Sequence, residues 1–432
     1  MSLCWMGVLL ACLIMAIGGF SEAAVDVKDF GVNGKGEKDD SDAIQKALDS
    51  CAAKNGGTVN LPAGKYRLDK PITIPSGVTL AGEWEIPHHA LLAKGTTILA
   101  YAGKGKEDDP PLITLSQSSG IKGMTFFYPE QRCPGIQPYP CTIQGKGMHC
   151  SIIDVTLTNP YKGIDFGTNG NELHYIRNVF GCPLKVGVYV DRCTDIGRIE
   201  NVHFNPHYWP RSEAENKPEW PELRKYLWEN CVAFEFGRSD WEYVLNTFSF
   251  GCKVGMRFIQ SEKGSCNGNF VGNGVDYAKT AMLVEQTQEP GILFTNGEFV
   301  GGEGAETEIE VNAGHKGVVQ FSNCSFWGPS QRIARIAGDG MVSFAQCNFT
   351  YWDWTAEGIG KGGKPAIEAN DGDIIIQGCR FGRGFNHIIL GSKVKTAVVT
   401  GNMLVGPVKI VNKSKGDVNI SGNVSRKKAK AD

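Results

Sequence analysis

A short pattern that returns many times along the chain constrains its fold more than any other feature of the sequence. In each copy an apolar residue is followed two positions later by Asn, Gly or Gln, then by Phe or another large apolar residue. Copies of this first half occupy residues 121–126, 176–180, 199–204, 321–326, 344–349 and 376–381. Cys324 and Cys347 hold the same place in two consecutive copies, so the period there is 23 residues. A period of about 20 to 30 residues built from short strands indicates a solenoid.

The second half of the repeat predicts how the core is filled. Segments such as 163–166 and 255–258 read as short strands, in which every second side chain is expected to face inward. The expected inward residues form two columns, one of Ile164, Val188, Phe234, Met256 and Met282, and one of Phe166, Val190, Phe236, Phe258 and Val284. A β-sandwich is the alternative, but it would not repeat one asparagine–turn–phenylalanine register so many times. The pattern therefore predicts an all-β parallel β-helix, with a single domain over residues 24–425.

Composition agrees with this prediction and excludes other classes of protein. Glycine accounts for 55 of the 432 residues, well above its usual share of about 7%. Because no Gly-X-Y period occurs, these glycines are expected at turns and not in a collagen helix. A hydrophobic content of 41% argues against a disordered chain. A net charge of −2 argues against nucleic acid as a partner, because nucleic-acid binding usually needs a basic surface.

One helix is expected at the N-terminal end of the solenoid. Residues 41–53 carry apolar side chains such as Ile44 and Leu48 at helical spacing, and Asp40 or Ser41 is a natural N-cap. A solenoid needs its open end covered. We therefore predict an amphipathic N-terminal capping helix.

The two ends of the chain predict export. The apolar run 4–20 stops at small residues, among them Ser21 and Ala23, which predicts a signal peptide over residues 1–23. A membrane anchor is the alternative, although about 17 residues is marginal for a span. We expect a secreted or periplasmic protein with no stable membrane insertion after cleavage, and a disordered basic tail over residues 426–432.

The cysteines fall into two groups. Of the 14 cysteines, two lie in the predicted signal segment. Cys133 and Cys141 bracket a proline-rich loop and are the best candidates for a disulfide. Cys324, Cys347 and Cys379 share one position of the repeat, which predicts stacked, buried and reduced thiols.

The N-terminal segment carries a family resemblance. Residues 25–40, together with Gly56-Gly-Thr-Val-Asn-Leu-Pro-Ala-Gly-Lys-Tyr66, resemble the opening of the pectate-lyase-like superfamily, which includes polygalacturonase- and rhamnogalacturonase-type enzymes and phage tailspikes. The resemblance implies a right-handed parallel β-helix that acts on a polysaccharide. The Asn-Thr-Asp, Asp-Asp, Gly-His-Gly and Arg-Ile-Lys motifs of polygalacturonases are absent from matching positions, and Asp39-Asp40 is the structural pair of the resemblance.

The outward positions of the repeat predict a catalytic site. They form a column of Asp165, Tyr189, Glu235, Arg257, Leu283, Glu310, Arg335 and Glu368, with Asp240 and Asp276 in adjoining loops. Because strands lie about 4.8 Å apart, carboxylates two rungs apart are in the range for a glycosidase pair. We predict catalytic roles for Asp165, Glu235, Arg257, Asp240 and Asp276. An ordinary charged solvent face is the alternative.

An insertion over residues 205–231 interrupts the repeat. Residues 218–229 predict a short helix within it, and tryptophans are dense in and after it. Aromatic rings in loops often stack on sugars. The predicted substrate-binding residues are Tyr189, His203, His207, Trp209, Arg211 and Trp241. The alternative is that the tryptophans only pack the insertion onto the solenoid. We predict no metal site, because Pro206 disfavours zinc binding by His203 and His207 on a helix.

These observations predict a secreted polysaccharide-degrading enzyme, a glycoside hydrolase with paired carboxylates and no cofactor. A polysaccharide lyase is the first alternative; there Arg257 or Ca²⁺ would neutralise a uronate, and Tyr189, Lys185 or His203 would take the proton. A non-catalytic glycan-binding or adhesive β-helix is the second alternative. A polysaccharide is the expected partner, and the oligomeric state is left open.

Overall fold

Three faces of parallel strands wind along the chain. The computed structural model describes residues 24–87, 92, 94–355, 357–360 and 362–426, so the predicted signal peptide and most of the basic tail lie outside the described residues. Thirty-seven strands hydrogen-bond into one continuous sheet that turns at the corners of each rung. The predicted parallel β-helix is therefore confirmed.

Face A carries the candidate site. Its strands pair in parallel from one rung to the next. They are Ile72–Ile74, Ile113–Leu115, Cys141–Gly145, Lys162–Phe166, Val186–Val190, Val232–Phe236, Val254–Phe258, Thr280–Val284, Thr307–Val311, Arg332–Ile336, the first parts of Ile367–Gln377 and Ile388–Thr400, and Ile410–Asn412.

Face B follows face A in each rung. Its strands are Val25–Asp26, Gly57–Leu61, Val78–Gly82, Gly120–Phe127, Ser151–Leu157, Tyr175–Gly181, Arg198–Phe204, Ser239–Leu245, Cys266–Val271, Thr287–Thr295, Val318–Ser322, Met341–Ala345, the second parts of Ile367–Gln377 and Ile388–Thr400, and Asp417–Ser421.

Face C completes each rung. Four strands of face B, from Gly120–Phe127 to Arg198–Phe204, bend and continue into face C. Its other strands are Lys35–Asp39, Gly64–Leu68, Thr96–Ala100, Phe248–Phe250, Gly274–Ala278, Glu298–Gly301, Ser325–Trp327, Asn348–Phe349, Arg380–Phe381, Met403–Val405 and Val424–Arg426. A separate antiparallel hairpin pairs Trp354–Thr355 with Gly358–Ile359.

The core is filled by stacked columns in the predicted register. Ile164 pairs with Val188, and this column continues through Phe234 and Met256 to Met282. All five side chains are buried. Farther along, phenylalanines from faces B and C stack on their neighbours of the next rung, with ring centroids 4.5–5.5 Å apart in Phe270, Phe294, Phe321 and Phe344, and in Phe299, Phe326, Phe349 and Phe381. Burial of these large apolar surfaces is the main force that holds the rungs together.

The corner between faces B and C explains the Asn/Gly/Gln position of the repeat. At this corner the backbone adopts positive φ, which favours Gly and Asn over branched residues. Positive φ occurs there at Asp154, Asn178, Asn201, Asn246, Asn296, Asn323 and Gln346, and at Gly123, Gly272, Gly378, Gly401 and Gly422. Some of the amides also bridge rungs; the Asn201 Nδ2 donates to Asn178 Oδ1 at 2.8 Å.

The predicted capping helix is helix α1, Ser41–Ala53. It buries Ile44, Ala47 and Leu48 against the first rungs. Asp40 occupies the N-cap position, but its side chain makes no capping hydrogen bond. The Asp39 carboxylate accepts from the Ser41 backbone amide instead, at 3.0 Å.

The insertion packs on the outer side of face C. It holds a 3₁₀ turn, Pro206–Tyr208, and helix α2, Trp220–Asn230, which confirms the predicted short helix. Helix α2 buries Leu223 and Leu227. Its Trp228 packs on Tyr277 of face C, with ring centroids 5.6 Å apart.

The cysteines of the described chain are free thiols. The predicted disulfide between Cys133 and Cys141 is wrong, because the Cys141 thiol donates to the carbonyls of Ile143 and Gly163 within face A. Cys133 lies instead in a different cavity, beside the insertion. The expected stack of reduced thiols is confirmed, since Cys324, Cys347 and Cys379 are all buried and unbridged.

Candidate functional site

A cleft of about 630 Å³ opens on the outer side of face A. The column register predicted from the sequence is confirmed, because Asp165 pairs with Tyr189, Tyr189 with Glu235 and Glu235 with Arg257. The cleft brings three of the predicted site residues together, with five carboxylates and two ammonium groups in its lining. The polar lining residues are Glu107, Asp108, Asp109, Gln144, Lys162, Asp165, Thr168, Lys185, Tyr189 and Glu235.

The Asp165 carboxylate is held by four hydrogen-bond donors. Its Oδ1 accepts from the backbone amides of Gly167 and Thr168, at 2.7 and 2.8 Å. Its Oδ2 accepts from Thr168 Oγ1 at 2.6 Å and from Gln144 Nε2 at 2.7 Å. These bonds use the acceptor capacity of the carboxylate and fix the turn that follows its strand. The geometry favours a structural role for Asp165, although its side chain faces the predicted cleft.

Glu235 keeps one oxygen for substrate. Its Oε2 accepts from Arg257 Nη1 at 3.0 Å, and its Oε1 makes no hydrogen bond with the described residues. Arg257 also donates Nε and Nη2 to Glu285 Oε1, at 2.9 and 2.6 Å. Because two glutamates clasp its guanidinium, Arg257 orients Glu235 and is not available to neutralise a uronate.

Tyr189 lies one rung from both carboxylates. Its hydroxyl donates to Asp191 Oδ2 at 3.2 Å. Burial, followed by the nearby negative charge of Asp191, raises the pKa of the Tyr189 hydroxyl. Tyr189 therefore keeps its proton at neutral pH and is present as a hydroxyl, not as a phenolate base.

Two lysines enter the cleft around Glu107. Lys162 Nζ lies 2.7 Å from Glu107 Oε1, and Lys185 Nζ lies 2.5 Å from the same oxygen. Burial alone would lower the pKa of Lys185, but its interactions with Glu107 and Tyr161 together outweigh burial and raise this pKa. Lys185 therefore keeps its positive charge, and the one Glu107 carboxylate offsets only one of the two ammonium groups that it contacts.

Asp240 and Asp276 lie outside the cleft, on other faces. Asp240, at the start of face B, accepts from Arg238 Nη2 at 2.6 Å and from Gln288 Nε2 at 2.7 Å. Asp276 lies on face C beside Phe250, and burial raises the pKa of its carboxyl. Their predicted catalytic roles are not supported, because neither residue lines the face A cleft.

Three of the predicted substrate-binding residues pack against other side chains of the protein and do not line the cleft. Trp209 is 0% exposed and fills the space between the insertion and the solenoid, so it cannot stack on a sugar. His207 stacks on Trp220, with centroids 4.4 Å apart. His203 is covered by Tyr208 and Phe248, and burial lowers its pKa.

Two further predicted ligands lie on the surface away from the cleft. Arg211 is exposed within the insertion. Trp241 is 56% exposed and lines a separate groove of about 540 Å³ on face B, together with Asp240, Asn267 and Asn269. Of the substrate-binding predictions, Tyr189 alone lines the face A cleft.

Sequence reasoning missed the roles of Glu107, Lys162 and Gln144. Lys162 opens the strand that contains Asp165, and Gln144 precedes Asp165 in the same column, so the repeat register could have found both. Glu107 lies in an irregular segment outside the repeat, and no pattern in the sequence places it at the cleft.

Comparison with known proteins gives a family match at the N-terminus. The family model "Rhamnogalacturonase A/epimerase, pectate lyase-like" matches residues 24–128. The resemblance to the pectate-lyase-like superfamily is thus confirmed.

Two curated relatives from Azotobacter vinelandii are similar over short segments. Mannuronan C5-epimerase AlgE1 is 45% identical over 71 residues, 15% of this chain and 5% of the relative. Alginate lyase 7 is 40% identical over 81 residues, 19% of this chain and 8% of the relative.

Solved structures extend the likeness in fold to nearly the whole chain. The N-terminal fragment of gene product 12 of bacteriophage Phi29 aligns with a TM-score of 0.63 and 14% identity, over 97% of this chain and 73% of that chain. A tailspike protein mutant of Escherichia coli bacteriophage HK620, in complex with a pentasaccharide, aligns with a TM-score of 0.50 and 12% identity, over 90% of this chain and 78% of that chain. At these identities the likeness concerns the fold alone. A carbohydrate-related function fits the relatives described above.

Among the described residues, no helix is long and apolar enough to cross a membrane.

Proposed function

We propose that this chain is a polysaccharide-active enzyme that binds a uronate-containing chain in the face A cleft and removes the proton next to the uronate carboxylate. The observation that carries the proposal is the available Oε1 of Glu235, one rung from the protonated hydroxyl of Tyr189. The similarity to a mannuronan epimerase and an alginate lyase supports an acidic polysaccharide as the substrate.

Each group has a defined task in this reaction. Lys162 and Lys185 bind the uronate carboxylate, so the negative charge that grows there on proton removal is stabilised. Glu235 Oε1 accepts the proton from the carbon beside the carboxylate. The electron pair of that C–H bond forms the new double bond as the adjacent C–O bond breaks. Tyr189 gives its proton to the leaving oxygen, which completes a β-elimination.

The charge of the cleft adds a requirement for this substrate. Glu107, Asp108, Asp109, Asp165 and Glu235 face only two ammonium groups in the lining. Such an excess of carboxylates repels a polyuronate unless a cation offsets it. We therefore expect cleavage of an acidic polysaccharide to depend on Ca²⁺, a hard cation that carboxylate oxygens bind.

Hydrolysis is the second candidate, and the same excess of carboxylates favours it for a neutral polysaccharide. A glycosidase needs one protonated carboxylic acid and one carboxylate. Every donor around Asp165 points at its oxygens, which opposes an acid role for it. Hydrolysis would then combine Glu235 with an acid other than Asp165.

A product assay over acidic and neutral polysaccharides, with Ca²⁺ or with a chelator, tests the proposal. The expected result is an unsaturated product absorbing in the ultraviolet, from an acidic polysaccharide and only with Ca²⁺. Reducing ends without that absorbance would favour hydrolysis, and binding without any product would favour the non-catalytic alternative.

The first variant to test is Glu235→Gln, which removes the available carboxylate oxygen. We expect turnover to fall about 10³-fold, the usual scale for loss of an acid–base group. Glu310→Gln is the matched control, because Glu310 lies in the same column three rungs farther on and pairs with Arg335. Equal activity in the two variants would exclude the proposed role of Glu235.

A further inference from the structure

A group of polar side chains lies inside the solenoid, at the corner between faces A and B. His174, Cys193 and Glu242 come from three consecutive rungs and are each fully buried. One donor atom from each, an imidazole nitrogen, the thiol sulfur and a carboxylate oxygen, lies within 4.8 Å of the other two. None of them belongs to the face A cleft.

The surroundings orient these donor atoms toward one point. His174 Nδ1 lies 2.8 Å from Asn171 Oδ1, which makes Nδ1 the protonated nitrogen when Nε2 serves as a ligand. His174 Nε2 lies 3.0 Å from Glu242 Oε1. Ser239 Oγ donates to Glu242 Oε2 and holds that carboxylate. Such second partners are typical of residues that bind metals.

The rung between His174 and Glu242 leaves room at this point. Gly197 lies between them in the ladder, and a Cβ at Gly197 would collide with the His174 ring and with the Glu242 carboxylate. Any residue other than glycine would therefore fill the space in which the two side chains meet. Phe166 covers the group on one side, with its ring stacked 4.8 Å from the His174 ring.

We propose that His174 Nε2, Cys193 Sγ and the Glu242 carboxylate bind one Zn²⁺ ion within the solenoid. Zinc takes nitrogen, sulfur and oxygen ligands at about 2.0 to 2.3 Å, so ligand atoms of a tetrahedral site lie roughly 3.3 to 3.7 Å apart. The separations of 3.0 Å and of at most 4.8 Å reach that range with small side-chain movements. Bidentate binding by Glu242 supplies a fourth donor atom.

The charges and protons of this site balance. A thiolate and a carboxylate cancel the two charges of Zn²⁺, so the loaded site is neutral, which burial requires. Without metal, burial lowers the pKa of His174, but Glu242 and Cys193 together outweigh burial and raise this pKa to about 10, so the imidazole carries a proton. Zinc displaces the proton of the His174 ring when it binds Nε2.

The site would join three rungs by coordinate bonds at the corner that leads from face A to face B. Asp165 and Tyr189 lie on the face A strands of the first two of these rungs. The inference is independent of the proposed reaction, because it concerns a structural ion and not substrate. If no zinc binds at this site, the role proposed for Glu235 in the cleft is unaffected.

The test is metal analysis of the full chain, refolded with and without Zn²⁺ because the site is buried. We expect one zinc per wild-type chain, a higher Tm with zinc, and a thiolate-to-metal absorption band after refolding with Co²⁺. Cys193→Ala and Glu242→Gln should lower zinc affinity about 100-fold or more. Cys182→Ala, which removes another fully buried thiol away from the group, is the matched control and should retain one zinc.

The outcomes separate a metal site from a buried ion pair. If wild type retains no more zinc than Glu242→Gln and refolds to the same Tm without metal, the proposal is wrong. If the variants do not fold, the Co²⁺ spectrum of wild type decides, because a spectrum without a thiolate band excludes coordination by Cys193.

Discussion

Two acidic side chains of one column have different tasks because their neighbours differ. Asp165 receives four hydrogen bonds from donors that its own turn and Gln144 supply. Glu235 receives one hydrogen bond, from Arg257, and keeps an oxygen for the cleft. Both are carboxylates in the same column, so the number of fixed donors separates a structural carboxylate from a reactive one.

The first prediction concerns Asp165→Asn. The amide would point an NH₂ group at donors that now meet an oxygen, so we expect the free energy of unfolding to fall by about 2–4 kcal/mol. Denaturant unfolding measures this change. An unchanged midpoint with lost activity would instead support the catalytic role expected from the sequence.

The second prediction concerns the pH dependence of stability at His315. This buried side chain bonds Thr287 through Nε2, and burial lowers the pKa of His315 from 6.5 to about 4. Between these values the unfolded chain binds more protons than the folded chain, so stability rises with pH from about 4 to 6.5 and is lost as the pH falls. His315→Gln should weaken this dependence of stability on pH, as measured by denaturant unfolding at several pH values. His149→Gln, at an exposed histidine, should leave it unchanged.

At the scale of elements, the insertion is a packed part of face C more than a sugar-binding loop. Trp209 and the apolar side of helix α2 are buried against the solenoid. Trp241, in contrast, lies near the start of a face B strand and presents its ring to solvent in the groove. The two tryptophans therefore provide a matched pair for mutation.

The third prediction uses that pair. Trp209→Ala should lower the free energy of unfolding by about 3–5 kcal/mol, because it leaves a large cavity. Trp241→Ala should leave the Tm unchanged and weaken retention on polysaccharide, if the groove holds a sugar chain. Affinity electrophoresis and thermal unfolding measure the two effects, and destabilisation by Trp241→Ala alone would contradict this division.

At the scale of the whole molecule, stability depends on covering the N-terminal end of the stacked core. Helix α1 does this with Leu48, which is fully buried. A charge at this position would uncover the apolar end of the first rungs and the edges of their strands, which are prone to pair with other chains.

The fourth prediction follows from the capping of the core by helix α1. Leu48→Asp should cause aggregation or a loss of several kcal/mol in the free energy of unfolding, because a charge is buried without a partner. Lys46→Asp introduces the same side chain at an exposed position of helix α1 and should be tolerated. Size-exclusion chromatography and thermal unfolding compare the two, and a monomeric, stable Leu48→Asp protein would contradict the capping role.

Much of the fold could be predicted because the repeat is a local property of the chain. Strand alternation and turn residues set the columns, so the register from Asp165 to Glu368 and helix α1 were both correct. The faces of Asp240 and Asp276 could not be predicted, because loop lengths between strands decide which face a residue joins. The pairing of Cys133 with Cys141 failed for a similar reason, since nearness in sequence does not direct two thiols toward each other.

The sequence by itself determined the parallel β-helix, its inward columns and its N-terminal cap, because each follows from spacing within one or two rungs. Only the tertiary structure decided which outward residues meet. Glu107 reaches Lys162 and Lys185 from outside the repeat, and His174 meets Glu242 across the space left by Gly197. These contacts join residues far apart in the chain, and no local pattern encodes the distance or the burial that gives them their chemistry.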